Sequence, residues 1–191
     1  ANIIAIGAPT LGYEYIPNGI VRVYSYSTGQ WTLIGDDIFV DQYFSQYGFI
    51  YEVSDTLNGL NLSSVQSSGL TGSFGKDISL NSEGNVICIL GTYDGAKVYE
   101  LIDNSWEQLG QKIGGYIAGN NGWESGEDIS NVSLSSDGYN VAISGYDPEN
   151  SDCISGSLGT IKVYNYNNNE WTQVGNTVLG ESCFGQLGVG N

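Results

Sequence analysis

Residues 21–35 read VRVYSYSTGQWTLIG, and the phrase returns as AKVYELIDNSWEQLG at 96–110 and as IKVYNYNNNEWTQVG at 161–175. In every copy a tyrosine precedes a tryptophan by seven residues, and a glycine follows the tryptophan by four. These residues are Tyr24, Trp31 and Gly35; Tyr99, Trp106 and Gly110; and Tyr164, Trp171 and Gly175. Such a repeat marks a supersecondary unit that buries its apolar face by stacking on the neighbouring copy.

Buried strands are predicted upstream of each phrase. The segments ANIIAIG, GNVICILG and GYNVAISG are rich in β-branched residues and end at Gly7, Gly91 and Gly145. Further upstream, KDISLNSEG and SNVSLSSDG end in triplets typical of tight hairpin turns, because Gly84 and Gly138 supply the positive φ that such turns need.

One full copy therefore has four antiparallel strands. The predicted strands are 76–80 and 132–135 for the first, 86–90 and 140–144 for the second, 96–101 and 160–166 for the third, and 106–113 and 171–178 for the fourth. We expect the tyrosine and the tryptophan to face each other across the last hairpin as structural packing residues. Four short strands per repeat predict an all-β protein, a β-propeller of four-stranded antiparallel blades.

The predicted organisation is a single β-propeller domain, or a fragment of one, over 1–191. Blade 1 covers about 1–40 and lacks its first strand, 41–73 is an insertion with an extra hairpin around 49–53, blade 2 covers 74–114, and blade 3 covers 127–180. Residues 184–191 form the first strand of the next or closing blade. Three blades are fewer than a closed propeller has, which predicts a partial ring or one completed by other chains.

The chain resembles the FG-GAP class of β-propeller repeat. Phe74 and Gly75, and again Phe184 and Gly185, open a first strand, and GAP at 7–9 closes a second one. The outer half of each blade, VY followed by W and LG, also resembles kelch blades. The resemblance implies a propeller fold and, in many members, a calcium loop with spaced aspartates, although no Asp-x-Asp-x-Asp-Gly run occurs here.

Composition excludes several classes of function. The 21 acidic and 5 basic residues give a formal charge of −16, which repels nucleic-acid phosphates, so we expect no nucleic-acid partner. No apolar run has the length of a membrane helix, so we expect no membrane insertion. Histidine is absent, and with it the commonest general base.

The connections on one edge of the predicted blades vary in length and sequence, whereas the turns on the other edge are short and constant. Variable loops on a constant scaffold are where binding is normally displayed. The candidate ligand-binding residues of this edge are Tyr13, Tyr15, Tyr43, Tyr47, Phe49, Tyr51, Tyr93 and Tyr146. The insertion that carries several of them has an alternative interpretation, as packing that covers a blade edge.

Metal, disulfide and glycan sites are weaker candidates. Asp147, Glu149 and Asp152 in DPENSD offer oxygen ligands to calcium, or are simply solvated; no other cofactor is expected. Cys88 lies in a buried strand, whereas Cys153 and Cys183 fall on the same edge and are a disulfide candidate pair. Asn61 is a glycosylation candidate. A disulfide and a glycan both indicate an extracellular or surface-exposed location: secreted, on a cell surface or on a virion surface.

The leading interpretation is a non-catalytic propeller that acts as a recognition or adhesion module for a protein or glycan ligand. The alternative is a structural repeat unit of a fibre, coat or shell that binds further copies of itself as a homo-oligomer. No catalytic residues are assigned and an enzyme is not expected, a glycosidase-like propeller being the one enzymatic alternative. Size in solution separates the first two, and assays on a panel of sugars test the third.

Overall fold

A computed structural model of the chain describes residues 2–9, 19–39, 42–44, 50–52, 74–91, 95–119, 122–147 and 158–183. These residues form β-strands, turns and bends, with no helix among them. No helix able to cross a membrane is found in the part of the chain described. The strands are β1 (Asn2–Ala8), β2 (Ile20–Ser27), β3 (Gln30–Phe39), β4 (Gln42–Phe44), β5 (Ile50–Glu52), β6 (Asp77–Leu80), β7 (Val86–Gly91), β8 (Gly95–Ile102), β9 (Ser105–Gln108), β10 (Gly115–Gly119), β11 (Gly122–Leu134), β12 (Asn140–Asp147), β13 (Leu158–Asn167) and β14 (Glu170–Cys183).

The strands form three main antiparallel sheets in chain order. Sheet 1 is β1-β2-β3, sheet 2 is β6-β7-β8-β9, and sheet 3 is β10-β11-β12-β13-β14; β4 and β5 pair separately, within the predicted insertion. The all-β prediction is confirmed. Within the described ranges, sheet 2 alone has the predicted four strands, because sheet 1 has three and the unpredicted β10 gives sheet 3 a fifth. The sheets do not close into a ring among the residues described.

The turns between β6 and β7 and between β11 and β12 have the expected geometry. Gly84 and Gly138 have φ of 74° and 87°, a region that costs most other residues about 1–2 kcal/mol. In the first of these turns the buried side chain of Asn81 accepts backbone N–H bonds from Asn85 and Val86, both at 3.1 Å. Local hydrogen bonding of this kind is why asparagine favours turns.

The strand pairing shows that the three glycines predicted to end the second strands are not at equivalent positions. The tyrosines Tyr24, Tyr99 and Tyr164 pair with Ile4, Ile87 and Val141 respectively. Gly91 and Gly145 lie four residues beyond those partners, and the first-copy residue at that place is Ala8. The alignment on Gly7 is therefore wrong by one residue. In a strand such a slip exchanges the two faces.

Register also corrects the expected pairing of tyrosine and tryptophan. Tyr24 pairs with Leu33, and the partner of Trp31 is Tyr26, two residues further along. The third copy follows the same register. The repeated tyrosine and tryptophan thus share a face of the sheet on a diagonal instead of facing each other directly. The predicted fourth strand of the second copy is also too long, since β9 ends at Gln108.

The three sheets stack, with sheet 2 in the middle. Ile87 and Ile89 of β7 belong to the cluster shared with sheet 1, whereas Val86, Cys88 and Leu90 belong to the cluster shared with sheet 3. All five side chains are at most 1% exposed. Successive residues of a strand point to opposite faces, so this continuous apolar run is explained by burial on both sides.

Candidate functional site

The joint between sheets 1 and 2 is built on a tryptophan that sits over a glycine. Trp106 Nε1 donates to the Ile34 carbonyl at 3.1 Å, and Trp106 N donates to Asp36 Oδ1 at 3.2 Å. A methyl group on Gly35 would lie 2.6 Å from Trp106 Nε1 and 2.7 Å from its Cδ1. Gly35 has φ 70°, so both the backbone conformation and the close approach require glycine here.

The joint between sheets 2 and 3 repeats this arrangement one phrase later. Trp171 Nε1 donates to the Leu109 carbonyl at 2.7 Å. Gln111 Oε1 accepts from Trp171 N at 3.0 Å, and Gln111 Nε2 returns a bond to Trp171 O at 2.9 Å. A methyl on Gly110 would lie 2.9 Å from Trp171 Cδ1. Two successive joints therefore use a tryptophan plug and a socket made of an apolar residue, a glycine and a polar residue.

Strands β6 and β11 add a second set of contacts between sheets 2 and 3. Asp77 Oδ2 accepts from Val132 N at 2.8 Å, and Ser79 Oγ accepts from Leu134 N at 2.9 Å. These backbone N–H groups belong to β11, so side chains of one sheet satisfy donors of the next. A backbone N–H that is left unpaired inside the protein costs free energy. Asp77 and Ser79 therefore stabilise the contact between sheets 2 and 3 by accepting these hydrogen bonds.

Trp31 is a plug that no socket of the described residues receives. It is 48% exposed, whereas Trp106 and Trp171 are 8% and 3% exposed. Its ring nevertheless lies 5.1 Å from that of Tyr26 at 50°, close to the 5.2 Å and 46° between Tyr166 and Trp171 in the occupied joint. Trp31 thus has the ring geometry of an engaged plug.

The front face is the side of sheet 1 that points away from sheet 2. Its exposed large hydrophobic residues are Ile4, Ile6, Tyr26, Trp31 and Leu33, and the counterparts of Ile4, Ile6 and Trp31 in sheets 2 and 3 are buried. Their exposed fractions range from 38% to 51%. Large apolar patches on soluble proteins mark interaction sites.

The back face is the side of sheet 3 that points away from sheet 2, and it carries an open socket. Gly175 has φ 73°, the same as Gly110, and a methyl added to it would meet no atom of the described residues within 4 Å. Val174 and Val178 beside it are 53% and 57% exposed. Ile38 and Ile113, which occupy the place of Val178 in the earlier copies, are 4% and 3% exposed.

The front face also carries an ion pair. Arg22 Nε and Nη2 donate to the two carboxylate oxygens of Asp37 at 2.6 and 2.7 Å. This bidentate contact with Arg22 holds the pKa of Asp37 below its ordinary value. Lys97 stands at the place of Arg22 in sheet 2 and is 8% exposed, so a neighbouring sheet buries this position.

A polar groove of about 410 Å³ opens between sheets 2 and 3 at the edge of the constant turns. Glu83, Glu100, Asp137 and Tyr139 line it. The Ser135 hydroxyl, followed by the Tyr139 backbone N–H, holds the pKa of Asp137 below its ordinary value. The groove is thus acidic at neutral pH, and the sequence did not single it out. No group of three potential metal ligands occurs among the residues that the structure describes.

Of the predicted ligand-binding residues, only Tyr146 is described with its side chain. It is half-buried at the end of β12. Tyr43 pairs with Tyr51 in the β4-β5 ladder, where only the backbone is described. The remaining ligand-binding candidates lie outside the described residues: Tyr13, Tyr15, Tyr47, Phe49 and Tyr93.

The metal, disulfide and glycan candidates fall mostly outside the described part as well. The backbone of Asp147 ends β12 and that of Cys183 ends β14. The other such candidates are not among the described residues: Glu149, Asp152, Cys153 and Asn61. Cys88 is a buried free thiol, as its strand predicted, and burial raises its pKa.

Residues of the FG-GAP resemblance pack in the joint of sheets 1 and 2. Phe74 is fully buried in the cluster shared by these sheets. A methyl on Gly7 would lie 2.4 Å from the Gly75 carbonyl oxygen, so these backbones are in close contact. Phe184 and Gly185 lie outside the described residues.

No protein-family model matches the chain, and no curated protein sequence matches it. The family resemblance therefore rests on the residues quoted above.

The sequence did not reveal that the glycine of each phrase holds the tryptophan of the next. The local signal was the glycine that recurs at one place in every phrase, because a glycine required at a fixed position indicates a positive φ or a close approach of another group.

Proposed function

We propose that this chain is a non-catalytic module of the β-propeller type, related to FG-GAP repeats, that recognises a protein or glycan outside the cell or on a cell or virion surface. The observation that carries the proposal is the repetition of the plug-and-socket joint at both internal interfaces. Sheets stacked by one repeated joint present corresponding connections along one edge.

The recognition edge carries the connections that join β1 to β2, β7 to β8 and β12 to β13. The connections at this edge are 9–19, 92–94 and 148–157 in the three copies, so their lengths differ. At the opposite edge the turns between β2 and β3, β8 and β9, and β13 and β14 match, since Thr28, Asp103 and Asn168 have φ of 52°, 48° and 52° at the same place in their hairpins. A rigid scaffold with unequal connections is suited to binding at that edge.

A replacement of residues 148–157 by Thr-Tyr-Asp, the connection of the second copy, tests this proposal. The wild-type chain and the variant are compared on a glycan array and an array of extracellular protein domains. The matched control is Asn168→Asp, which gives one opposite-edge turn the residue that Asp103 provides in sheet 2. We expect binding to be lost at least about tenfold in the shortened variant and kept in the control.

Failure of the wild-type chain to bind either array, or equal loss in the control, contradicts this proposal. Thermal unfolding of all three proteins shows that each is folded. Turnover of any sugar in a panel of glycosides contradicts the non-catalytic assignment.

A second candidate function is that of a structural unit that assembles with copies of itself. The exposed apolar front and back faces favour it, because isolated apolar faces at both ends of a stack associate readily. Sedimentation of the purified chain over a range of concentrations tests it. A monomer at every concentration contradicts it.

A further inference from the structure

We propose that Trp31 of one copy of this chain docks into the Val174–Gly175–Asn176 socket of a second copy, so that copies join head to tail. The proposal deepens the self-association function and does not depend on the recognition edge. It rests on the joint between sheets 1 and 2 and the joint between sheets 2 and 3. In both, the tryptophan of one repeat makes the same hydrogen bonds to corresponding residues of the repeat before it.

The socket on the back face is already in the geometry of the occupied ones. Gly35, Gly110 and Gly175 have φ of 70°, 73° and 73°. The two occupied glycines face an indole ring within 3 Å of where a methyl would stand, whereas at Gly175 no atom in the described part of the chain lies within 4 Å of that place. The docking of Trp31 would fill this space without a change in the socket glycine's backbone.

The polar contacts of the joint are also available at both ends. The internal joints use the carbonyl of Ile34 or Leu109 and a side-chain acceptor, Asp36 or Gln111. Val174 and the exposed Asn176 stand at these two places on the back face. Asparagine has the same side-chain carbonyl acceptor as glutamine. Trp31 supplies the indole and backbone N–H donors.

Docking would bury the apolar side chains of the front and back faces that are exposed in the single chain. Val163 on the back face is 38% exposed, whereas Val23 and Val98, at the same place in the first and second repeats, are 0% and 1% exposed. Ile4 on the front face, 38% exposed, stands where Ile87 is fully buried. In the head-to-tail contact, the back face of one chain covers the front face of the next, as sheet 2 covers the facing sides of sheets 1 and 3.

Charge affects the strength of the association but not its geometry. Each copy carries a formal charge of −16, so two copies repel each other at long range. Arg22 on the front face is already paired with Asp37, so its burial removes no uncompensated charge from water. Salt screens the repulsion, and we expect association to strengthen between low and physiological ionic strength.

The two faces differ, so the contact is heterologous, and a pair of variants distinguishes it from a symmetric dimer. Trp31→Ala removes the plug and leaves the socket intact. Gly175→Ala adds a methyl where the indole would lie and leaves the plug intact. Each variant alone is expected to be monomeric, and a 1:1 mixture is expected to form a dimer and nothing larger.

Sedimentation equilibrium from about 1 μM to about 1 mM measures these species, and the expected loss of association for each variant alone is at least about thirtyfold. The control is Leu179→Ala, an exposed apolar residue whose partner Thr160 places it off the back face. This control is expected to associate like the wild type. Urea unfolding at a concentration where the chain is monomeric shows that each variant is folded.

The outcomes separate the two proposals. A wild-type chain that stays monomeric at every concentration and ionic strength overturns both self-association and the joint. A wild-type chain that assembles while either variant alone assembles equally well overturns only the joint. A mixture that does not dimerise, when the wild type assembles, also overturns the head-to-tail contact.

Discussion

Trp31 and Trp106 occupy the same place in the same hairpin, yet the first is 48% exposed and the second 8%. The local strand pairing is alike, since each pairs with a residue two places beyond the repeated tyrosine. The difference comes from the neighbouring sheet, which covers Trp106, whereas no sheet of the described residues lies over Trp31. In a stack of repeats, the energetic role of a residue depends on its place in the stack as well as on its own phrase.

The largest expected effect is a contrast between tryptophans. Trp171→Ala is expected to lower the free energy of unfolding by about 3–5 kcal/mol, because it empties a buried joint. Trp31→Ala is expected to cost about 1 kcal/mol or less, chiefly its ring contact with Tyr26. Urea unfolding of the monomeric chain measures both. Equal losses would show that the joint contributes nothing beyond the hairpin.

A second contrast compares glycines that share one backbone conformation. Gly110→Ala and Gly175→Ala both place alanine at φ 73°, which costs each variant about 1–2 kcal/mol. Only the first also crowds Trp171 and Tyr166, so we expect it to cost a further 1–3 kcal/mol or so. The same unfolding experiment measures the difference. A Gly175 variant as unstable as the Gly110 variant would mean that backbone strain alone decides.

The smallest expected effect concerns the ion pair of the front face. Arg22 lowers the pKa of Asp37, so the pair contributes stability at a pH above about 3.8, the ordinary value, and loses it as the pH falls through the lowered pKa. Asp37→Asn is expected to cost about 0.2–1 kcal/mol at pH 7, the range for exposed pairs. The difference from wild type should shrink towards zero as the pH falls through that lowered pKa.

The measurement for the ion pair is urea unfolding of both proteins at several pH values between 7 and 2.5. A wild-type advantage that persists in acid would contradict an electrostatic origin. High salt at pH 7 should reduce the same advantage, because the pair is partly solvated.

Strand existence and order were predictable from the sequence, because β-branched runs and turn glycines act locally. The predicted turns at Gly84 and Gly138 and the buried run of β7 agree with the structure. Strand β10 was not predicted, since GYIAG has little alternation and its strand character depends on pairing with the long β11. The register of the first copy was misjudged for a related reason: alignment on a glycine ignored the partner strand.

The candidate site was less predictable than the fold. The phrase identified Trp31 and Gly175 as structural residues, but nothing local distinguishes them from Trp106 and Gly110. Their exposure follows from the order of the sheets, which is a tertiary property. The acidic groove was missed for the same reason, since Glu100 and Asp137 meet only when sheets 2 and 3 are stacked.

The plug and the socket of each repeat lie four residues apart on one hairpin. A tandem duplication of the coding segment for a single repeat would therefore carry both halves of the joint together, and the new copy would fit between its neighbours without a compensating change elsewhere. The number of repeats can change in this way during evolution while the joint itself stays the same.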